Sequence, residues 1–293
     1  MREVVSLCAP GKLVLMGEYA VLDGAPAIVL AVDRGVSVEG TRGGPRLAID
    51  TPDGDDRFVR PALVGTTGHW RFRAHKPVEG ISGKPGFGGS AAACVVACLA
   101  AGRPASDAYA IHHAVQGSGS GVDVAAAATG GMLRFVRPLR PGGAPQLQAL
   151  PPVRPLVLWS GASARTGPRV LAYQSCATRA AFVAESSALV DAFTQAPLES
   201  MRAAWRALCA MAVAAGLDYR TPALDAIVEL AESFGGAAKP SGAGGGDCAV
   251  ALLPDPDAER AFLAAAARVG LPSIDAAPAG PPGPCLGAGQ GAT

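Results

Sequence analysis

The sequence predicts a two-domain protein that mixes strands with helices, and three observations predict it. The chain has 293 residues, the size at which a single hydrophobic core usually splits in two. Short β-branched runs dominate its first forty residues. Alanine-rich runs entered directly from glycine-rich loops follow them.

Taken in order, residues 4–8 (VVSLC) and 27–38 (AIVLAVDRGVSV) read as strands flanking a loop that holds Pro10, Gly11 and Gly17. Residues 41–68 are rich in Gly, Pro and Asp and predict hairpins or surface loops. The run SAAACVVACLAA from Ser90 to Ala101 is a strong helix former, apolar nearly all round, and so a buried helix. Two more helices are predicted, from Ser106 to Val115 with Ser106 or Asp107 as cap, and from Val122 to Ala128. The segment from Pro138 to Pro155 carries six prolines, and the domain boundary is placed there, dividing the chain into 1–152 and 153–279. Beyond it VRPLVLWSG reads as a strand, three helical stretches fall between about 168 and 234, KPSGAGGGDCAVALLP reads as loop then strand, and 256–269 as helix. From Gly280 to Thr293 the Gly/Pro/Ala tail has no aromatic anchor and is expected to be disordered.

Composition excludes several classes of function. Hydrophobic residues make up 49% and charged residues 17%, too apolar for a mostly disordered chain, yet no run of about 18 apolar residues suggests a membrane span. MREVVSLCAPGK is too short in apolar residues for an export signal, so a cytoplasmic, soluble protein is expected. The net charge of +1 has both signs scattered, without the basic footprint of a nucleic-acid binder. Seven cysteines show no Cys-x-x-Cys pair and no Cys/His cluster at zinc spacing, so neither a disulfide framework nor a structural metal is suggested. Cys94 and Cys98, one helical turn apart, are read as packing residues.

Four of the 25 basic residues are lysines: Lys12, Lys76, Lys84 and Lys239. Three stand beside glycine-rich loops, where a compact ammonium suits a phosphate. Pro85-Gly86-Phe87-Gly88-Gly89-Ser90-Ala91 leads straight into the strongest helix. Glycines let backbone approach a phosphate, and the first helical amides lack intrahelical partners and carry the positive end of the dipole. Glycines also serve tight loops and close packing, so this loop alone decides nothing. A dinucleotide fold would need an apolar strand before it and an acidic ribose ligand about 20 residues on; HKPVEGISGK precedes it and Asp107 lies in a helix. A nucleophile elbow lacks its last glycine, and no Gly-x-x-x-x-Gly-Lys-Ser/Thr occurs. Two further loops, QGSGSGVD (116–123) and KPSGAGGGD (239–247), pair free amides with Asp123 and Lys239. Asp123 could equally be an acid at a helix start.

In order, APGKLVLMGEYAVLDGAPAI, KPGFGGSAAA and KPSGAGGGDCAVALL resemble the three signatures of the galactokinase, homoserine kinase, mevalonate kinase and phosphomevalonate kinase (GHMP) superfamily. HHAVQGSGSGVDVAAAATGG, the Gly17-Glu18-Tyr19 triplet and WSGASART resemble its phosphomevalonate kinase branch. The resemblance implies an α+β fold, with an N-terminal ATP-binding domain similar to ribosomal protein S5 domain 2 and a ferredoxin-like C-terminal domain. It implies ATP-dependent phosphorylation of phosphomevalonate, with ATP and Mg2+ as cofactors. Lys12 and Asp123 would be the catalytic pair. Lys84, Gly86, Gly88, Gly89, Ser90 and Ala91 would hold the ATP phosphates, with Ser90 near the metal. Tyr19, Ser120, Gly121, Ser241, Gly242, Ala243 and Gly244 would face the acceptor. The partner is then a small phosphorylated acid, with no nucleic acid or membrane, and the enzyme a monomer or homodimer.

Two departures stand out. Gly89 occupies a position where the family usually has a serine, and His112 stands where mevalonate kinases carry a metal-binding glutamate. His112 and His113 read equally as packing or capping residues. The chain is also short for this branch, chiefly between residues 41 and 80. Rival readings are a mevalonate kinase or other small-molecule kinase of the superfamily, diphosphomevalonate decarboxylase, and a non-catalytic nucleotide sensor.

Overall fold

The computed structural model describes residues 3–81, 83–138, 140, 143–164 and 166–285. Strand β1 (Glu3–Met16) runs antiparallel to β2 (Ala27–Arg42) along its length. The loop expected at Pro10 and Gly11 is strand instead. Register shifts between Ala9 and Gly11 absorb the proline, which cannot donate to a ladder. Both strands read as near-continuous apolar runs because both faces are covered. Leu13, Leu15, Ile28, Leu30 and Val32 pack into one cluster, while Val14, Ala27, Val29 and Ala31 pack into another.

The far half of β2 pairs with β4 (Gly68–His75), which runs parallel to β3 (Leu47–Asp50); the near half of β2 pairs with β5 (Met132–Val136), and β5 with β6 (Gln146–Leu150). A last strand, β11 (Gly283–Pro284), adds to the outer edge of β1, making seven strands in the order β11-β1-β2-β4-β3 with β5 and β6 branching from β2. Residues 280–285, expected to be disordered, are therefore in part held by main-chain pairing. Residues 286–293 of that tail lie outside the described residues.

Helices α1 (Gly89–Ala100), α2 (Asp107–Gln116) and α3 (Val122–Thr129) pack on this sheet, α1 and α3 directly on β1 and β2. Cys94 and Cys98 are fully buried in the core under α1, which agrees with a packing role.

A second, four-stranded sheet has the order β10-β7-β9-β8, from β7 (Leu156–Trp159), β8 (Ala237–Pro240), β9 (Cys248–Leu252) and β10 (Ser273–Ile274). Between β7 and β8 come α4 (Thr166–Gln174), α5 (Arg179–Ala192), α6 (Pro197–Ala214) and α7 (Pro222–Ser233), one helix more than the sequence suggested; α8 (Pro256–Arg268) follows β9. α7 and α8 begin as capping rules dictate. The Thr221 hydroxyl accepts from Leu224 N, the Asp255 carboxylate accepts from Asp257 N and Ala258 N, and proline sits in each first turn. Leu13 and Leu15 of the first sheet share one core with Val157, Trp159 and Val250 of the second. Full burial of such side chains contributes about 1.5–3 kcal/mol each, so the two sheets are joined by an apolar seam. No helix among the described residues is long and apolar enough to cross a membrane.

Candidate active site

Four segments converge where that seam opens. β1 delivers Lys12, whose main-chain N–H donates to Phe87 O at 3.0 Å and so ties the strand to the glycine loop. The loop then turns at Gly88, with φ 70°, and α1 starts. A Cβ on Gly88 would lie 3.1 Å from Lys12 Cγ and 3.4 Å from Asp123 Cβ. The position therefore needs glycine for its left-handed backbone and for close approach to both side chains. No side chain caps the N-terminus of α1, and no acidic residue lies in its first turn. Uncapped amide donors and the positive end of a helix dipole are the arrangement that attracts anions. Gly89 is exposed with nothing within 4 Å of where its Cβ would be, Ser90 is half-buried and Ala91 is packed in the core.

Asp123 sits in the first turn of α3, with its Oδ1 3.8 Å from Lys12 Nζ. The Lys12 side chain is nearly buried while that of Asp123 is 36% exposed, so the pair points from protein toward solvent. Just before α3, Ser120 Oγ accepts from Val122 N at 3.3 Å.

The loop between β8 and β9 closes the opposite wall. Ser241 Oγ accepts from Val14 N at 2.9 Å, and Tyr19 Oη donates to Ala243 O at 2.5 Å. Tyr19 itself has φ 61°, an uncommon backbone for a bulky residue. Burial pushes its phenol up to about 12, with Arg169 opposing and Glu18 adding to the rise, so it stays a donor at neutral pH. Gly244 lies against the Tyr219 ring.

Together these walls enclose a cavity of about 170 Å³. Among the predicted residues Lys12, Tyr19, Ser120, Gly121, Asp123, Ser241, Gly242 and Ala243 line it. Gly86, Gly88, Gly89, Ser90 and Ala91 are outside its lining: Gly88 lies against Lys12 and Asp123, Gly86 against Asp247 and Ser90 against His112, all four of which line the cavity, whereas Gly89 is exposed and Ala91 packs in the core. Lys84 stands apart: its side chain is 89% exposed and its Nζ is 3.5 Å from Asp53 Oδ2.

Several residues that matter here were not singled out as site residues. Glu18 lines the cavity and forms a buried ion pair with Lys239 behind it, and Glu18 Oε1 also accepts from Gly242 N at 3.4 Å. Burial holds the Lys239 ammonium below its usual value, opposed by Glu18. Lys239 was expected to face an anion; it anchors the loop's base instead. Asp247 lines the cavity, accepts from Ala164 N at 2.8 Å, and is raised from the usual carboxylate range by burial. His112, treated as packing or capping, lines the cavity and lies 3.1 Å from Ser90 Oγ. Glu18, Lys239 and Asp247 all fall inside the quoted motifs, which were the available signal. For His112 the signal was its place where mevalonate kinases carry a metal-binding glutamate.

A family model described as "GHMP kinases C terminal" matches residues 189–270. The phosphomevalonate kinase of Streptomyces sp. (strain CL190) is 31% identical over 339 residues, covering 86% of this chain and 90% of that protein. The chain belongs to the GHMP kinases, in their phosphomevalonate kinase branch. Solved structures of the GHMP kinase fold agree with it over nearly their whole length. A Listeria innocua protein superposes with TM-score 0.85 at 21% identity, covering 94% of this chain and 98% of that one. Streptococcus pneumoniae phosphomevalonate kinase, in complex with phosphomevalonate and AMPPNP, superposes with TM-score 0.77 at 20% identity, covering 94% and 100%. The two-domain α+β GHMP kinase architecture expected from the sequence is therefore the one observed, and the protein is a phosphotransferase.

Proposed function

We propose that this GHMP kinase transfers the terminal phosphoryl group of ATP to the phosphate of phosphomevalonate, releasing ADP and diphosphomevalonate. The observation that carries the reading is the meeting of Lys12 and Asp123 in one cavity with Gly88, just before the uncapped start of α1, packed against both, in a chain 31% identical to a phosphomevalonate kinase. On this reading residues 1–152 form the ATP-binding domain and 153–279 the C-terminal domain: β6 of the first sheet ends at Leu150 and the second sheet begins at Leu156, while β11 returns to the first sheet after residue 279.

Phosphoryl transfer asks mainly for alignment and for positive charge around the transferring group. The amides of Gly89 and Ser90 and the Lys12 ammonium supply that charge from fixed positions, so little reorganisation accompanies the reaction. An acceptor phosphate oxygen forms the new bond to phosphorus while the bond to the leaving ADP oxygen breaks. Because a phosphate monoester has its second pKa at about 6, the attacking oxygen is already anionic at neutral pH. Asp123 then has no proton to remove; it orients Lys12 and balances its charge. Tyr19, Ser120, Gly121 and the 241–244 loop shape the acceptor side.

The donor set fits Mg2+: the half-buried Ser90 hydroxyl is a hard oxygen ligand, and such sites complete their shell with water and phosphate oxygens. When bound, the ion would neutralise phosphate charge. His112 would stand behind Ser90 rather than on the metal.

ADP release measured with mevalonate, phosphomevalonate and diphosphomevalonate in parallel tests the reading. Turnover is expected with phosphomevalonate. Faster turnover with mevalonate, or ADP and CO2 from diphosphomevalonate, overturns the assignment. Nucleotide binding without turnover of any of the three would make the chain a sensor.

A further inference from the structure

Cys8 lies in β1 between Leu7 and Ala9, both of which pack toward the core under α1. Successive strand residues alternate faces, so Cys8 points to the opposite face of the sheet. Its partner on β2 is Ser37; two residues back along the same face of β2 is Gly35, which pairs with His75 of β4. A Cβ on Gly35 would meet Ala9 O at 2.0 Å. That space is filled by the β1 main chain at its bulge, so β1 and β2 lie close there and no side chain at position 35 stands between His75 and β1.

From the other edge, β11 pairs Gly283 with Cys8, and Cys285 N donates to Ser6 O at 3.3 Å. That register brings Cys285 to the same patch. One ligand atom from each of Cys8, His75 and Cys285 lies within 4.8 Å of the other two, and all three residues are half-buried.

We propose that Cys8, His75 and Cys285 form a binding site for one thiophilic divalent metal ion of the Zn2+ class. Two thiolates and an imidazole are the donors such ions select. Around a tetrahedral ion, bonds of about 2.3 Å to sulfur and about 2.0 Å to nitrogen put donors roughly 3.5–3.8 Å apart, which small side-chain rotations reach from the observed spacing. Two thiolates cancel the charge of the ion, so a half-buried site carries no net charge. The neighbouring cation, Lys76, is already held by Asp33 at 2.5 Å and does not oppose the metal. The fourth position is left for water.

A disulfide between Cys8 and Cys285 is the competing use of the same sulfurs. It gives His75 no role, whereas metal binding uses all three side chains. The site would clamp the C-terminal strand β11 across β1 to β4, four residues before Lys12 on β1. Its ligands come from β1, β4 and the residue that follows β11, at positions 8, 75 and 285, so no local spacing in the sequence announces it. The proposal is independent of the kinase reading.

The test uses the full chain, reduced with a phosphine and stripped of metal by a chelator, then titrated with Co2+ as spectroscopic probe. The expected result is saturation at a single Co2+ per chain, with thiolate-to-cobalt charge-transfer bands and the strong visible bands of tetrahedral Co2+, all bleached by Zn2+. Cys285→Ser and His75→Ala should each lose the tetrahedral bands while keeping the far-ultraviolet circular dichroism of the wild type. Zn2+ should raise the Tm of the wild type and leave that of Cys285→Ser unmoved. Absence of tetrahedral bands in the reduced wild type overturns the proposal, as does their persistence in both variants. So does a reduced chain that ignores Co2+ while its air-oxidised form yields a Cys8–Cys285 linked peptide.

Discussion

Ser90 Oγ stands 3.1 Å from His112 Nε2, and the His112 ring stacks on Phe58 with centroids 4.8 Å apart. The stack fixes the imidazole, and the imidazole fixes the hydroxyl at the first turn of α1. Burial holds His112 below the usual histidine value, with Asp123 opposing and His113 adding to the fall. The ring is thus neutral at pH 7 and able to take the serine proton, leaving serine lone pairs toward the opening.

His112→Ala should lower kcat by about 10–100-fold, the usual cost of removing a group behind a metal ligand, with a smaller change in the KM of the acceptor. His112→Gln should recover part of the loss. The fold should also report the titration. A histidine pKa depressed on folding stabilises above its unfolded value of about 6.5, and that contribution is lost as pH falls below it. Wild type should therefore lose more Tm between pH 7 and pH 5 than His112→Gln; equal losses would show that His112 is not the titrating group.

Lys12 and Asp123 are separable by acceptor chemistry. Lys12→Met removes a fixed positive charge from the transferring group and should cost about 10²–10³ in kcat, the scale of losing one preorganised donor. Asp123→Asn should cost less than about tenfold with phosphomevalonate, because no proton is taken from an anionic phosphate. With an alcohol acceptor the same change removes a base worth about 10²–10⁴. Steady-state kinetics of both variants with phosphomevalonate decide it, and a collapse of Asp123→Asn on that substrate would move Asp123 to the role of base.

The two adjacent glycines at the start of α1 should behave oppositely. Gly88→Ala places a Cβ at φ 70° and 3.1 Å from Lys12 Cγ, a backbone cost of about 1–3 kcal/mol together with a displaced lysine. Activity should fall at least tenfold in a chain that still unfolds cooperatively. Gly89→Ser meets open space and supplies the hydroxyl common in the family, so activity should be kept. A dead Gly89→Ser enzyme would mean that bound phosphate needs the space now empty there.

How much of this was legible follows from what kind of interaction each residue makes. The helix at 89–100, the loops at 86–91, 116–123 and 239–247, and the pairing of Lys12 with Asp123 could be reached from sequence. Alanine-rich periodicity is local, whereas glycine loops have other uses, and it was their order along the chain, resembling the three signatures of the family, that linked Lys12 with Asp123. The strand through Pro10 and Gly11 was missed because a bulge hides the ladder. β11 was missed because a strand of two residues, Gly283 and Pro284, has no propensity of its own and exists only through its pairing with Leu7 and Cys8. The place of His112 was flagged from sequence, but its contacts to Ser90 and Phe58, like the cluster of Cys8, His75 and Cys285, join segments apart in the chain, which no window of sequence contains.

Lys239 shows the same limit and gives the last prediction. Beside a glycine loop it reads as an anion ligand, yet its side chain is 0% exposed and its ammonium is bound to Glu18 Oε1 and donates to Pro240 O at 2.9 Å. Glu18 Oε2 is buried without a partner, and Oε1 has beside Lys239 only a long bond from Gly242 N at 3.4 Å, so the lysine is the cation that balances the carboxylate. Lys239→Met should leave an uncompensated buried charge and destabilise the chain by about 3–5 kcal/mol. Converting both residues, as Glu18→Leu with Lys239→Met, removes the two charges together and should restore most of that stability, since well-packed apolar replacements of buried pairs are often neutral. Urea unfolding of the two single variants and the double variant measures the coupling. Additive losses would show that the pair does not act as a unit, and that the loop from Ser241 to Gly244 owes its position to Tyr19 and Val14 instead.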